Sequence, residues 1–306
     1  MRILIAEDDL ISRSILMAML NKQGHEVVAT VNGTEAWDVM QQVDAPKLAI
    51  LDWMMPEMDG IEVCRRIRTL ESDQPPYLII LTANDDKADI VTGLEAGADD
   101  YLTKPYDPGE FRARVDVGRR LIETQAKLVE ARSALVHAAT HDPLTGILNR
   151  QAILDNLAKE LSRAKRNDKT VGIGLCDLDH FKQINDRYGH PAGDEVLCGV
   201  TRIIQANLRE YDLIGRYGGE EFLVITPEVG GFALQKAYER LRERVAESTI
   251  HTRVSDIPIT MSIGVSSGTG GNTIDALLDE ADAALYRAKE EGRNCVSYAN
   301  LRITED

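Results

Sequence analysis

The chain has 306 residues, with 50 Asp and Glu against 35 Lys and Arg and a formal charge of −15, a length that predicts two domains at roughly 100–200 residues each. Residues 1–122 hold 22 acids and 13 bases and residues 123–306 hold 28 and 22, so neither half clusters the lysines and arginines that grip nucleic-acid phosphates or an anionic membrane. No apolar run approaches the ~20 residues that span a bilayer, and Glu7, Asp8 and Asp9 follow Met1 too soon for a signal-peptide core. Cys64, Cys176, Cys198 and Cys295 show neither CxxC nor zinc spacing and read as small core residues. A cytoplasmic protein, without membrane insertion or a nucleic-acid partner, is expected.

Residues 1–120 read as five strand–helix units. Apolar runs at 3–6, 27–30, 48–51, 78–81 and 101–102 alternate with helical-period segments near 10–22, 34–43, 59–70, 86–96 and 108–121. This alternation predicts a doubly wound, five-stranded parallel sheet covered on both faces, with ligands beyond the carboxyl ends of its strands. Those ends carry Glu7-Asp8-Asp9, Asp52, Thr82 and Lys104-Pro105. One acid after a strand is adequately explained as a solvated loop residue or a helix N-cap; four such strand ends together are not. Converging carboxylates repel unless a cation joins them, and an oxygen-rich site with few ligands suits Mg²⁺.

Residues 108–140 contain no strong breaker after Gly118 and predict one continuing helix, with 123–140 as a helical linker between domains. Leu121, Leu128 and Leu135 recur every seven residues, each followed by an apolar neighbour, which is the repeat of a coiled coil. A dimerising helix is preferred here to one that packs only on its own domains. From 141 to 306 the pattern differs. Apolar runs at 171–176, 222–226 and 259–265 predict strands with helices between them, and the first runs into Asp177-Leu178-Asp179. In an extended chain Asp177 and Asp179 share a face. Gly218-Gly219 predicts a tight hairpin with positive φ that presents Glu220 beside another strand's end. By itself Gly-Gly-Glu-Glu is as well read as a plain turn with solvated acids.

The first half resembles the response-regulator receiver domain, flavodoxin-like in fold. The resemblance rests on Ile3-Leu4-Ile5-Ala6-Glu7-Asp8-Asp9, Asp52-Trp53-Met54-Met55-Pro56-Glu57-Met58-Asp59-Gly60, Leu81-Thr82-Ala83, Gly97-Ala98-Asp99-Asp100-Tyr101 and Lys104-Pro105. It implies that Asp52 accepts a phosphoryl group from a cognate histidine kinase, and that Glu7, Asp8, Asp52 and the Met54 carbonyl hold Mg²⁺. Thr82 and Lys104 would contact the phosphoryl oxygens, Tyr101 would turn inward on activation, and the Lys104–Pro105 bond would be cis. The chemistry agrees, since a carboxylate nucleophile needs the incoming oxygens neutralised.

Residues 140–300 resemble the GGDEF family of diguanylate cyclases, an α+β fold of the palm or nucleotidyl-cyclase type. The motifs are Asp142-Pro143-Leu144-Thr145-Gly146-Ile147-Leu148-Asn149-Arg150, Asp177-Leu178-Asp179-His180-Phe181-Lys182-Gln183-Ile184-Asn185-Asp186 and Gly189-His190-Pro191-Ala192-Gly193-Asp194. Arg216-Tyr217-Gly218-Gly219-Glu220-Glu221-Phe222, Ser262-Ile263-Gly264-Val265 and the stretch from Ala281 to Asn294 complete the set. The signature reads GGEEF, with Glu where the family name has Asp. The resemblance implies condensation of two GTP into cyclic di-GMP with release of two pyrophosphates. Asp177, Glu220 and the Leu178 carbonyl would hold Mg²⁺ or Mn²⁺, with Glu220, Asp177 and Lys182 as the catalytic set. Asn185 and Asp194 would read guanine, Gly218 and Gly219 would leave room for the nucleotide, and Lys182, Lys289 and Arg293 would offset triphosphate charge.

In that family one domain holds one GTP, so the resemblance also implies a homodimer or higher oligomer. Arg209-Glu210-Tyr211-Asp212 is an RxxD ending shortly before Gly218. Alone it is usually a weak surface ion pair; at this offset it matches the family's inhibitory product site, with Arg240 as a further contact. Two rival readings are a module that binds GTP or cyclic di-GMP without turnover, and a cyclase with a different product. Product chromatography and mass spectrometry after incubation with GTP and ATP separate the three.

Overall fold

The structure, a computed structural model, describes residues 1–70, 72, 74–83 and 87–299. Residue 86, the expected start of a helix, and residues 300–306 of the expected second domain lie outside the described residues. Two compact units meet in sequence between Ser133 and Ala134.

The first unit runs β1 (Arg2–Ala6), α1 (Leu10–Lys22), β2 (Glu26–Thr30), α2 (Gly33–Met40), β3 (Leu48–Asp52), α3 (Gly60–Thr69), β4 (Tyr77–Thr82), α4 (Lys87–Glu95), β5 (Asp100–Thr103) and α5 (Pro108–Thr140). Its five strands are parallel in the order β2-β1-β3-β4-β5. The period of two along each strand divides the core. Leu4, Ala6, Ala49, Leu51, Leu78 and Ile80 meet α2 and α3 on one face, while Ile3, Ile5, Leu48, Ile50, Ile79 and Leu81 meet α1 and α5 on the other. Burial on both sides is why these strands read as unbroken apolar runs. Side chains that follow the strands start the helices: Asp9 accepts the Ser12 N–H at 2.8 Å and Asp59 the Glu62 N–H at 2.7 Å.

The helix expected from 108 to 140 is continuous. Phe111, Val115 and Gly118 are buried against the sheet, whereas every residue from 127 to 139 is exposed.

The second unit adds α6 (Arg150–Asn167), β6 (Thr170–Leu178), α7 (Phe181–Tyr188), α8 (His190–Asn207), β7 (Leu213–Arg216), β8 (Glu221–Pro227), α9 (Gly231–Ala246), β9 (Thr249–His251), β10 (Asp256–Pro258), β11 (Met261–Thr269), α10 (Ile274–Glu290) and β12 (Val296–Tyr298). The main sheet has the order β12-β11-β6-β8-β7, antiparallel except for β11 with β12. The strand expected at 259–265 starts only at Met261, because Ile257 pairs with Ile250 in a separate two-stranded ribbon and the chain bends before rejoining the sheet.

Central β6 sets the position of the acids at its end, and α10 lies so close to β11 that a Cβ on Gly264 would stand 2.1 Å from the Ala281 carbonyl oxygen and 2.2 Å from the Leu285 nitrogen. Neither backbone atom can give way. Gly264→Ala is therefore expected to destabilise this unit by about 3 kcal/mol, read as a lowered calorimetric transition with the transition of the first unit unmoved.

Candidate functional sites

At the carboxyl end of the parallel sheet the chain leaves β1, β3 and β4 through Glu7, Asp52 and Thr82, all buried, with Asp8 exposed beside them. One carboxylate oxygen from each of Glu7, Asp8 and Asp52 lies within 4.8 Å of the others, a spacing that could hold a metal ion. Lys104 directly follows β5 and is joined to Pro105 by a cis bond, and its N–H donates to the Thr82 carbonyl at 2.7 Å. The ammonium reaches Glu7 Oε2 at 2.7 Å and Asp52 Oδ1 at 3.0 Å. Burial works against that charge, but the hydrogen bonds and charges of Glu7 and Asp52 outweigh burial, and the Lys104 pKa is raised. Burial also raises the Glu7 carboxyl, against the pull of Lys104 and with the push of Asp52. Two buried acids sharing one ammonium make an anionic pocket suited to a cation. Tyr101 is half-buried on β5, and Met54 sits in the loop two residues after Asp52.

In the second unit Asp177 is the next-to-last residue of β6, paired with Glu221, while the Leu178 N–H donates to the Glu220 carbonyl at 3.3 Å. Asp177 and Glu220 are thereby neighbours at one end of the sheet. Burial raises the Glu220 carboxyl and the charge of Asp177 raises it further, with Lys289 acting in the opposite direction. Lys289, in the last turn of α10, pairs with Asp177 Oδ2 at 2.8 Å. This donor set, two crowded carboxylates with a single partly compensating ammonium, also suits a divalent cation.

The expected positive φ at Gly218 and Gly219 is not found; the left-handed glycines are Gly24, Gly97, Gly146, Gly189, Gly231 and Gly292. A Cβ on Gly218 would lie 2.3 Å from Glu221 Oε2, the movable tip of a side chain, so a larger residue there would only have to displace that tip, while Gly219 faces open space. Nor does Asp179 join Asp177 in the acidic pair. The strand ends at Leu178, and the Asp179 carboxylate is taken up by Thr260, Ser262 and Asn294.

Lys182 is exposed in the first turn of α7, whose preceding residue His180 supplies no side-chain cap. Asn185 and Asp194 come from α7 and α8. A Cβ on Gly193 would lie 2.0 Å from Asn185 Oδ1, so only glycine lets Asn185 sit beside the residue that precedes Asp194. Arg293 lies in the turn that follows α10, with φ 67°.

Arg209 and Asp212 form a closed turn in which the Arg209 N–H donates to Asp212 Oδ2 at 2.9 Å. The Arg209 guanidinium rests on Tyr211, 5.9 Å from the ring centre. Arg240 reaches the Asn207 carbonyl at 3.2 Å, and both arginines lower the Asp212 carboxyl that burial raises. Among the described residues Asp212 Oδ1 is buried and accepts no hydrogen bond.

Arg216, quoted in the motif but given no role from the sequence, donates to both Asp142 oxygens at 3.1 Å and to the Gly219 carbonyl at 2.7 Å. It ties the turn after α5 to the hairpin that carries Glu220. Burial raises the Asp142 carboxyl, but the Thr145 hydroxyl and N–H, with Arg216, hold it below the ordinary value. An arginine at the end of a short strand offered no signal for this brace, because its partners are 74 and 3 residues away.

The family model described as diguanylate cyclase, GGDEF domain, matches residues 139–295, and that of the response regulator receiver domain matches residues 3–116. The chain belongs to the GGDEF family. Its GGDEF domain follows a receiver domain.

The response regulator PleD of Caulobacter vibrioides is 36% identical over 255 residues, 81% of this chain and 56% of PleD. The diguanylate cyclase DgcP of Pseudomonas aeruginosa is 40% identical over 161 residues, 53% of this chain and 24% of DgcP. The chain thus spans little more than half of PleD and about a quarter of DgcP. Among solved structures, the coiled coil and GGDEF domain of DgcB from Caulobacter crescentus, in complex with c-di-GMP, superposes with a TM-score of 0.56 at 31% identity, covering 62% of this chain and 99% of that one. Among the described residues no helix is long and apolar enough to cross a membrane.

Proposed function

We propose that this GGDEF protein condenses two GTP into cyclic di-GMP and that phosphorylation of Asp52 controls the rate. The observation that carries the reading is the side-by-side placement of Asp177 and Glu220 at the end of β6, with Lys289 against them. Magnesium or manganese held by Asp177, Glu220 and the Leu178 carbonyl, and in the receiver by Glu7, Asp8, Asp52 and the Met54 carbonyl, would neutralise phosphoryl oxygens in both sites.

Lys182, Lys289 and Arg293 bind the triphosphate. Asn185 and Asp194 take the guanine edge; a carboxylate that accepts from guanine N1–H and N2–H₂ is left unpaired by adenine, which selects for GTP. Glu220 takes the proton of a 3′-hydroxyl as its oxygen bonds to the α-phosphorus of the facing GTP, and the bond from that phosphorus to pyrophosphate breaks. The same step repeated in the other direction closes the ring.

Two GGDEF domains must face each other for this. The coiled-coil repeat on α5 supplies the contact, since Leu121, Leu128 and Leu135 are 53%, 65% and 71% exposed in the single chain. Phosphoryl transfer from a histidine kinase to Asp52, with Lys104 and Thr82 on the new oxygens and Tyr101 turning inward, would repack the receiver and alter how α5 pairs. Incubation with GTP and the divalent ion, followed by chromatography, tests the reaction: cyclic di-GMP supports it, whereas bound but unchanged GTP overturns it.

Product returns to Arg209, Asp212 and Arg240. The charges of Arg209 and Arg240 both act on the Asp212 carboxyl, a set suited to guanine N–H donors with phosphates alongside. Arg209→Ala is expected to raise the inhibitory concentration of cyclic di-GMP about tenfold, the weight of one charged hydrogen bond, without changing initial turnover. Equal inhibition of both proteins would remove this site from the scheme.

A further inference from the structure

Asp179 is 4% exposed and carries a carboxylate that, among the described residues, pairs with no lysine, arginine or histidine. A buried carboxylate needs hydrogen bonds in place of water, and this one has three. Oδ1 accepts from the Ser262 hydroxyl at 2.6 Å, and Oδ2 accepts from the Thr260 hydroxyl at 2.6 Å and the Asn294 N–H at 3.0 Å. The Asp179 N–H itself donates to the Thr260 carbonyl at 2.9 Å. One side chain thus joins the end of β6, the start of β11 and the turn after α10.

That turn is held in an uncommon shape. Gly292, Arg293 and Asn294 follow one another with φ 111°, 67° and 47°. Asparagine tolerates left-handed backbone, but arginine has no such preference. A non-glycine residue stays there only when its surroundings fix it. The fixing contacts are the Arg293 N–H to the Ala288 carbonyl at 3.1 Å, Arg242 Nη1 to Asn294 Oδ1 at 3.2 Å, and the Asn294 N–H to Asp179. Of these, the bond to Asp179 is the one that ties the turn to the strand carrying Asp177.

We infer that Asp179 is a positioning residue for GTP: its carboxylate holds the left-handed turn at 292–294 so that Arg293 is presented to the triphosphate. This rests on the proposed role of Arg293 in triphosphate binding. It assigns Asp179 an influence on the phosphate end of the nucleotide and none on the guanine end, which Asn185 and Asp194 take.

The test is calorimetric titration of the full chain with a non-hydrolysable GTP analogue and, separately, with GMP, which lacks the β- and γ-phosphates. In Asp179→Asn the amide can turn its oxygen to the Thr260 hydroxyl and the Asn294 N–H and its NH₂ to the Ser262 oxygen, so this variant should keep the GTP analogue within about threefold of the parent. Asp179→Ala, which removes all three acceptors, should weaken the GTP analogue about tenfold, as expected for loss of a hydrogen bond to a charged group, and leave GMP within about twofold. In a cycle with Arg293→Ala the effects should be non-additive, with little further loss in the double variant.

Loss of GMP and analogue binding together in Asp179→Ala, or additive losses in the cycle, would overturn the inference. If Arg293→Ala binds the analogue normally, the triphosphate role of Arg293 fails first. If Arg293→Ala is weak and Asp179→Ala is not, only the positioning role fails. Should the alanine variant melt early, the titrations are run below its transition and the asparagine variant is the second readout: a loss there equal to that of the alanine variant would overturn the role of the retained oxygen.

Discussion

Glu220→Gln should form cyclic di-GMP about 10³-fold more slowly than the unaltered chain, because, on the proposed mechanism, loss of one of the two carboxylates that would hold the metal removes several kcal/mol of transition-state stabilisation. The substitution is nearly isosteric, and the bond from the Leu178 N–H goes to the main-chain carbonyl at 220, which glutamine retains. The fold should not suffer. Burial and Asp177 both raise the Glu220 carboxyl, so the folded protein disfavours that charge, and its removal should leave the melting temperature unchanged or slightly higher. A variant that is stable but inactive places the acid in the chemistry. A variant that is stable and as fast as the parent would sink the catalytic reading. Sites that trade stability for activity behave in the first way.

The second large effect concerns the receiver. Adding a beryllium fluoride mimic of the acyl phosphate should raise turnover about tenfold at fixed protein concentration, within the usual range of coupling between distinct sites. Asp52→Ala should abolish the response while keeping basal turnover. The reason lies in the present bonding of Lys104, which spans Glu7 Oε2 and Asp52 Oδ1 at 2.7 and 3.0 Å. Phosphoryl oxygens bring additional negative charge to that ammonium and give it a new partner. Thr82 is held to the same segment through its carbonyl, so a shift in one is transmitted to the other. Turnover that ignores the mimic would separate the receiver from catalysis in this chain.

The first sheet was legible because each of its inner strands is buried on both faces, so apolar runs and the acids that end them stand out in one dimension. The second unit was less so. Its short strands β7, β9, β10 and β12 have three or four residues each, too few for an alternation to register. Glu220 beside Asp177 depends on the register of β6 against β8, which no local pattern specifies. Paired glycines permit positive φ at Gly218 and Gly219, yet neither adopts it, and a Cβ at 218 would meet only the movable tip of Glu221. Asp179 looked like a partner of Asp177 by strand periodicity; three donors from β11 and the turn after α10 claim it instead. Long-range contacts of this kind are absent from propensity and spacing alike.

The bare stretch of α5 from 127 to 139 carries Leu128 and Leu135 into solvent in an isolated molecule. On the pairing proposed above, output per molecule is then not a constant of the protein but climbs with how much of it the cell holds. Dilution alone would silence the enzyme, and abundance would act as a second input alongside the kinase.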